Sequence, residues 1–381
     1  MEFAQPTKED DQIMIDNVYR KLAQRLDTIP NGFPPTESGI ELRLLEKIFT
    51  LEEAALASVM RLTPEPAADI AARASADPKV TSRTLKQMAR KGQIHVRVGE
   101  ERLLFGLMPF VVGIYEEQLP RMDAELAELF EQYYYETQGG GFVRTTPAVQ
   151  RVIPVGEAIP VDVEVFPYEH AVQLIESAKS WGVRDCICRV QQKLIGKGCD
   201  RPIEVCLVFA PVEGAFRGEG PDRPITKEEA LHILRQTEEA GLIHSTGNYK
   251  DGNSYICNCC TCCCGIMRSV VEFGIPTAVV SSDFHAVVDA DECIGCGECV
   301  QQCPFKALAV PEQAPPASSG QVCEVDVARC VGCGQCTTVC STSAIYLERR
   351  PKDEVPPLPA NRREWLAKRA EARGIDLQDI L

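Results

Sequence analysis

The chain has 381 residues, 45% of them hydrophobic and 25% charged, with a net charge of −15. That length suits two or three domains, and that composition excludes a disordered or fibrous protein. The acidic balance argues against whole-chain affinity for nucleic acid or anionic membrane and suits docking onto basic partner surfaces.

The N-terminal stretch MEFAQPTKEDDQ is polar and acidic, unlike the basic start and apolar core of a signal peptide. The longest apolar run, Leu103–Tyr115, is too short to span a bilayer and is broken by Pro109 and two glycines. A cytoplasmic, reducing location is therefore expected. There, 19 cysteines do not form a disulfide framework, so their spacing must decide between metal and redox thiols.

Residues 1–120 read as a winged-helix-like domain. GIELRLLEKIFTLEEAALASVMRL has helical spacing interrupted near Phe49–Leu51. TPEPAADIAARAS predicts a helix capped by Thr63, with Pro64 at its first position. Asp77–Pro78 marks a turn before a third helix, VTSRTLKQMARKG, stopped by Gly92. QIHVRVGEERLLFGL alternates about Gly99 like a hairpin. Lys79, Arg83, Lys86, Arg90, Lys91, Arg97 and Arg102 make the region locally basic, which raises DNA binding. Residues 1–120 as a whole are slightly acidic and lack a second basic arm, so protein docking is the preferred reading. The run Leu103–Tyr115 is expected to pack the wing on the next domain or on a partner.

Residues 121–160 read as a linker. Its glycine run, in YYYETQGGGF, lacks the strand and spacing of a nucleotide loop. Residues 161–286 read as a cysteine-rich α/β domain. VDVEVF alternates as a strand, PYEHAVQLIESAKSW is helical in period, and IEVCLVFAPV is a buried-strand candidate. TKEEALHILRQTEEAG predicts a helix capped by Thr226, with Glu229 completing a capping box and Gly241 stopping it.

Ten cysteines fall in this central region. Cys186, Cys188, Cys199 and Cys206 lie upstream; Cys257, Cys259, Cys260, Cys262, Cys263 and Cys264 form the run CNCCTCCC. A metal or cube takes four protein ligands at most, and neighbours in an extended segment point to opposite sides. Not all six thiols of the run can therefore face one cube. Three arrangements stay open: one further 4Fe–4S centre using both halves, two centres or a larger cluster, and structural zinc or a redox thiol site. The ligand pool comprises these ten less Cys206, which reads as a buried thiol in an apolar strand. Arg189 could shield cluster charge or be solvated. Of the five histidines, His95, His170, His232, His244 and His285, none pairs with a carboxylate at ligand or triad spacing. His244 could reach a metal, though a helix-end position is preferred.

Residues 287–349 carry the strongest signal. CIGCGECVQQCP supplies Cys293, Cys296, Cys299 and Cys303; CVGCGQCTTVCS supplies Cys330, Cys333, Cys336 and Cys340. Both follow C-x2-C-x2-C-x3-C, and the flanking residues repeat with the same 37-residue offset. Three thiols at two-residue gaps wrap one iron–sulfur cube, while Gly295, Gly297, Gly332 and Gly334 permit close backbone approach. The fourth cysteine of such a run crosses to the other cube. Cys293, Cys296, Cys299 and Cys340 are thus assigned to one cluster, and Cys330, Cys333, Cys336 and Cys303 to the other. Zinc rarely needs eight cysteines in a doubled pattern. Cys323 lies off the motif and reads as a strand residue.

This segment resembles the bacterial dicluster ferredoxin family over about Val287 to Leu347. The resemblance implies a pseudo-twofold ββα-type fold with two low-potential 4Fe–4S centres close enough for fast electron transfer. Ser341 departs from the family's frequent proline, at a position that does not coordinate. The insert PEQAPPASSG reads as a loop. The order CICR, GCDRPIEVCL, GLIH, ICNCCTCCC followed by that module also looks like a family of large 4Fe–4S ferredoxin-like proteins of anaerobes, over most of residues 40–347. That implies an electron-transfer partner of a larger oxidoreductase system, with no defined substrate.

Residues 350–381 read as a proline linker and a charged tail helix, with Trp365 either a docking arm or packed on its own domain. The expectation is an α+β multidomain protein: winged helix, cysteine-rich α/β domain and dicluster ferredoxin fold. It would pass single electrons to or from redox partner proteins. Alternatives are a redox-sensing winged-helix regulator and a catalytic reductase subunit with an open cluster site.

Overall fold

The computed structural model describes residues 8–100, 102–159, 169–218, 220–311 and 322–379. They form a mixed helix and sheet protein in two compact units, Met1–Thr146 with Leu366–Leu381, and Pro147–Trp365. The VDVEVF segment lies outside the described residues, as does nearly all of the PEQAPPASSG insert. Among the described residues, no helix is long and apolar enough to cross a membrane.

In the first unit α1 (Lys8–Asp27) packs on α2 (Ile40–Ile48) and α3 (Leu51–Ala57). The expected break falls at Phe49, which is extended, and Thr50 starts α3 with a full capping box to Glu53. Strand β1 (Glu65–Pro66) precedes α4 (Ala67–Arg73), so this helix starts later than Thr63 predicts. The reason is tertiary: Glu65 and Pro66 pair with Phe105 and Leu104 of β3 (Leu103–Leu107). Asp77 is a cap rather than a turn residue. Its Oδ1 accepts from the Lys79 and Val80 amides, with Pro78 opening α5 (Pro78–Arg90). Strand β2 (Ile94–Val98) pairs with β3 as the predicted hairpin.

The stretch expected as a linker is folded instead. It contains α7 (Ala124–Glu136), which follows the short α6 (Tyr115–Glu117), then α8 (Gly141–Arg144) and a strand of the second unit. Phe110 packs on Phe33 at 4.5 Å and Tyr115 stacks on Phe130 at 3.7 Å. The run Leu103–Tyr115 thus finds its apolar partners inside the first unit.

The second unit is built on one sheet, ordered β10-β4-β8-β9-β6-β5-β7. Its strands are β4 (Gln150–Ile153), β5 (Ser180–Asp185), β6 (Glu204–Ala210), β7 (Arg223–Ile225), β8 (Ile243–Gly247), β9 (Tyr255–Cys259) and β10 (Val279–Val280). All neighbours are antiparallel except β10 and β4. Helix α9 (Ala171–Glu176) and α11 (Lys227–Glu239) contribute Ile175 and Leu234 to a core with Val183, Leu207 and Ile256. Thr226 caps α11 as expected, accepting from the Glu229 amide at 3.2 Å. The Glu229 carboxylate pairs with Arg223 at 2.9 Å. Helices α10 (Ile187–Leu194) and α12 (Gly265–Glu272) follow β5 and the cysteine run.

The ferredoxin-like part pairs β11 (Phe284–Val288) with β14 (Ile345–Arg349), and β12 (Leu308–Ala309) with β13 (Glu324–Val325), with α13 (Glu298–Gln302) between. Its first strand starts at Phe284, inside the stretch assigned to the central domain. Gln335 Nε2 donates to the Leu242 carbonyl at 2.7 Å, and the Val155 amide to the Cys333 carbonyl at 2.9 Å. These buried bonds join the ferredoxin-like part to the sheet. Finally, α14 (Arg362–Ala372) begins in the second unit, where Trp365 is buried and its indole N–H donates to the Ala148 carbonyl at 2.9 Å.

Candidate metal centres

The two doubled runs make two cavities. Cys293, Cys296, Cys299 and Cys340 line one; Cys303, Cys330, Cys333 and Cys336 line the other. Local structure explains the exchange of the fourth thiol. Helix α13 intervenes between Cys299 and Cys303, and one 3-10 turn between Cys336 and Cys340. Each turn carries the last cysteine roughly 6–8 Å along its axis, into the neighbouring cavity. The loops need glycine: at Gly332, with φ +66°, a Cβ would run into the Phe284 carbonyl oxygen.

Amide groups meet the sulfurs. Ala307 N–H donates to Cys303 Sγ at 3.2 Å, Ala286 N–H to Cys330 Sγ at 3.5 Å, and Cys323 N–H to Cys293 Sγ at 3.5 Å. Burial pushes the Cys333 thiol up to about 12 and raises Cys336 too. Cys340 moves the other way, because hydrogen bonds from the Ile345 amide and Thr342 outweigh burial. These eight thiols form no group tight enough for a single ion, as four ligands on four different irons require.

Residues 292–344 match the 4Fe-4S dicluster domain. No curated protein matches the chain. The dicluster domain's donors fit 4Fe–4S clusters: thiols alone, in sets of four, with amides aimed at sulfur. Cys323 differs from its expected place. It precedes β13, is buried in the first cavity, and sets its Sγ 3.5 Å from Cys299 Sγ.

The ten central cysteines separate into two groups. Cys199, Cys260, Cys262 and Cys263 hold their Sγ atoms within 4.8 Å of one another. The separations are 4.0 Å for Cys199–Cys260, 3.7 Å for Cys199–Cys263 and 3.9 Å for Cys262–Cys263. A tetrahedron of thiolates at about 2.3 Å from one ion has an edge of about 3.8 Å. The hydrogen bonds from Cys262 and Cys263, with Arg189 beside it, hold the Cys260 thiol far below its ordinary range. Arg201 Nη1 stands 3.7 Å from the exposed Cys262.

The other six are neighbours in a ring through which each thiol shifts the next: Cys186 to Cys188, Cys264, Cys259, Cys257, Cys206 and back to Cys186. Secondary structure places each one. The β6–β9 register sets Leu207 opposite Ile256, hence Cys206 opposite Cys257. Cys259 follows two residues on, on the same face. Cys186 and Cys264 are the N-cap residues of α10 and α12. Gln150 Nε2 lies 3.5 Å from Cys257 Sγ, and Ser245 Oγ 3.6 Å from Cys259 Sγ. Hydrogen bonds from Cys188 and Cys206 bring the Cys186 thiol well down, while both of those neighbours move up.

Sequence reasoning left Cys206 out of the pool, yet the alternation of β6 offers a signal. Val205, Leu207 and Phe209 are buried on one face, so Cys206 must stand on the other. Arg189 is buried rather than solvated. Its Nη1 meets the Asn258 carbonyl at 3.1 Å and Cys260 Sγ at 3.7 Å. His244 is a strand residue and not a helix end: Nδ1 lies 2.6 Å from Asn258 Oδ1 and Nε2 3.2 Å from Glu238.

Proposed function

We propose that the protein is an iron–sulfur electron-transfer component that exchanges single electrons with a partner oxidoreductase of anaerobic metabolism. The observation that carries this is the pair of four-thiol cavities in the dicluster domain. Cys293, Cys296, Cys299 and Cys340 would hold one 4Fe–4S cluster, and Cys330, Cys333, Cys336 and Cys303 the other. When bound, such clusters supply one-electron redox centres. The protein's own part is to fix the thiolates, donate amides to sulfur and exclude water with Phe284, Leu308, Ile345 and Leu347, all buried. No proton-transfer group is needed for that role.

The cysteine-rich domain would add further metal, supported by its compact thiol groups. The reading of the first unit as a winged helix rests on the order of α2 to α5 and the sheet β1-β3-β2. One observation favours a second reading, a DNA-binding redox regulator: Lys79, Arg83, Lys86 and Arg90 are all exposed along α5. Against it, Val80 on the same helix and Val98 at the end of β2 are exposed at 51% and 80%, which suits a protein partner.

Iron and sulfide analysis of anaerobic protein, with EPR after reduction, tests the main reading. At least about eight irons and two interacting 4Fe–4S signals are expected. Cys333→Ser and Cys299→Ser should each strip one cluster, and iron-free protein would overturn the assignment. Gel shifts with holoprotein decide the second reading: binding no stronger than to random DNA, and falling steeply with salt, ends it.

A further inference from the structure

The thiols of the central domain are too numerous for one centre and are already sorted by the fold. We propose that they build two separate metal centres: a single tetrahedral tetrathiolate ion on Cys199, Cys260, Cys262 and Cys263, and an iron–sulfur core of several irons inside the ring of Cys186, Cys188, Cys206, Cys257, Cys259 and Cys264.

The geometry distinguishes the two. In the first group all four sulfurs lie within 4.8 Å of one another and three of the pairs stand 3.7 to 4.0 Å apart, near the edge length that one ion imposes on four thiolates. In the ring no three sulfurs come within 4.8 Å of one another among the described residues, although the strand register sets Cys206 opposite Cys257. Six thiols spread on a circumference suit a body larger than one ion. Two zinc ions sharing thiolates would draw sulfurs into tetrahedral groups, which the ring lacks.

The surroundings of the ring favour a sulfide-containing, negatively charged core. Two helices of eight residues each, α10 and α12, start at ring cysteines, so their free amides and positive ends converge on it. Gln150 adds a side-chain donor from β4, held in place by the Ser245 hydroxyl, which donates to its Oε1 at 3.1 Å. Arg189 lies between the centres and is 1% exposed; its Nη atoms are occupied, but its buried Nε–H has no partner among protein atoms. A buried donor of that kind calls for an acceptor, which an inorganic sulfide would supply.

Alternation along CNCCTCCC explains how one short run serves both. Cys257 and Cys259 face the ring from β9. The chain then turns, sending Cys260, Cys262 and Cys263 to the tetrahedral site, and Cys264 returns to the ring as it caps α12.

This inference does not depend on the electron-transfer reading. The test uses the full-length, anaerobically purified holoprotein, with iron, acid-labile sulfide and zinc counted per chain. Iron and sulfide should exceed the about eight of each that two cubes account for. One further ion should be present without matching sulfide, either as zinc or as a single high-spin ferric iron seen by EPR. Cys262→Ser should remove that ion and leave the iron–sulfide count. Cys257→Ser should remove the iron and sulfide above eight and leave the ion. The dicluster EPR signals of each variant report whether it has folded.

No iron or sulfide beyond about eight would overturn the ring assignment. Loss of both metals in either variant, with dicluster signals intact, would overturn the division into two centres. X-ray absorption of the unaltered protein needs no variant: zinc with four sulfur neighbours at about 2.3 Å supports the tetrahedral site, and oxygen or nitrogen ligands sink it. Missing dicluster signals in the unaltered chain would instead defeat the electron-transfer reading.

Discussion

Arg189 follows Cys188 directly in the chain, yet it serves thiols from three segments. Burial alone would make a guanidinium easier to deprotonate. The charges of Cys186, Cys260 and Cys206 reverse that, and its pKa is raised. A buried cation between two thiolate groups offsets charge that the sheet could not otherwise hold. Cys323 is the opposite case, a thiol beside a cluster cavity with no assigned duty. Burial and the neighbouring Cys299 push it up to about 12, as burial does Cys333; it is its place outside both C-x2-C-x2-C-x3-C runs that makes it no ligand in our reading. Cys323→Ser should therefore leave iron, sulfide and EPR signals unchanged; loss of half the dicluster iron would make it a ligand.

Asp283 is a third residue-scale case. It directly precedes Phe284 and faces the Glu169 carboxylate, with Arg349 Nη1 3.6 Å away and Arg151 nearby. Burial and the bond to Glu169 outweigh both arginines and push its carboxyl up to about 6. A folded-state pKa above the unfolded value means stability that is full below about pH 4 and lost as pH rises through about 6. Asp283→Asn should remove that slope and be at least as stable as the native chain at pH 7. Urea unfolding at pH 4, 5, 6 and 7 reads this directly, and an unchanged slope would refute the assignment.

Elements show how local signals meet tertiary demands. The capping box at Thr50 is complete, and its Glu53 also accepts from Lys91 Nζ at 2.6 Å and Gln93 Nε2 at 2.9 Å. One carboxylate thus ties α3 to the end of α5 and the start of β2. The box at Thr226 is only half made, because the Glu229 carboxylate meets Arg223 instead. Glycine loops are less negotiable. Gly332→Ala combines positive φ with a clash against the Phe284 backbone, so a loss of at least about 1–2 kcal/mol is expected. Denaturant unfolding should show that loss, together with reduced iron in the second cavity. Full iron retention would mean that the loop adapts.

At the scale of the whole molecule, each unit completes itself with distant chain. The second unit takes Trp365, buried against Ala148 and 6.4 Å from the Tyr249 ring, more than a hundred residues away in sequence. The first takes Arg369, whose guanidinium donates to the Thr145 and Phe142 carbonyls at 2.6 and 3.2 Å. Trp365→Ala should cost roughly 3–5 kcal/mol by cavity formation and loss of the indole bond. Thermal or urea unfolding checks this, and a loss under about 1 kcal/mol would make the tail a free arm.

The two sets of four cysteines that line the dicluster cavities could be grouped from the chain because their loops are local: spacing, glycines and duplication all lie within one short segment. The breaks and caps at Phe49, Thr50 and Thr226 were legible for the same reason. By contrast, α7 was hidden in a stretch that reads as punctuation, since what holds it is α2, elsewhere in sequence. The central cysteines were the hardest case. Counting showed that CNCCTCCC held too many thiols for one centre, but not how they divide. That depends on Cys206 facing Cys257 across two strands, and on Cys199 reaching Cys263 at 3.7 Å. Strand register and loop return are settled by burial of the whole sheet, so only the tertiary structure could sort these thiols into sites.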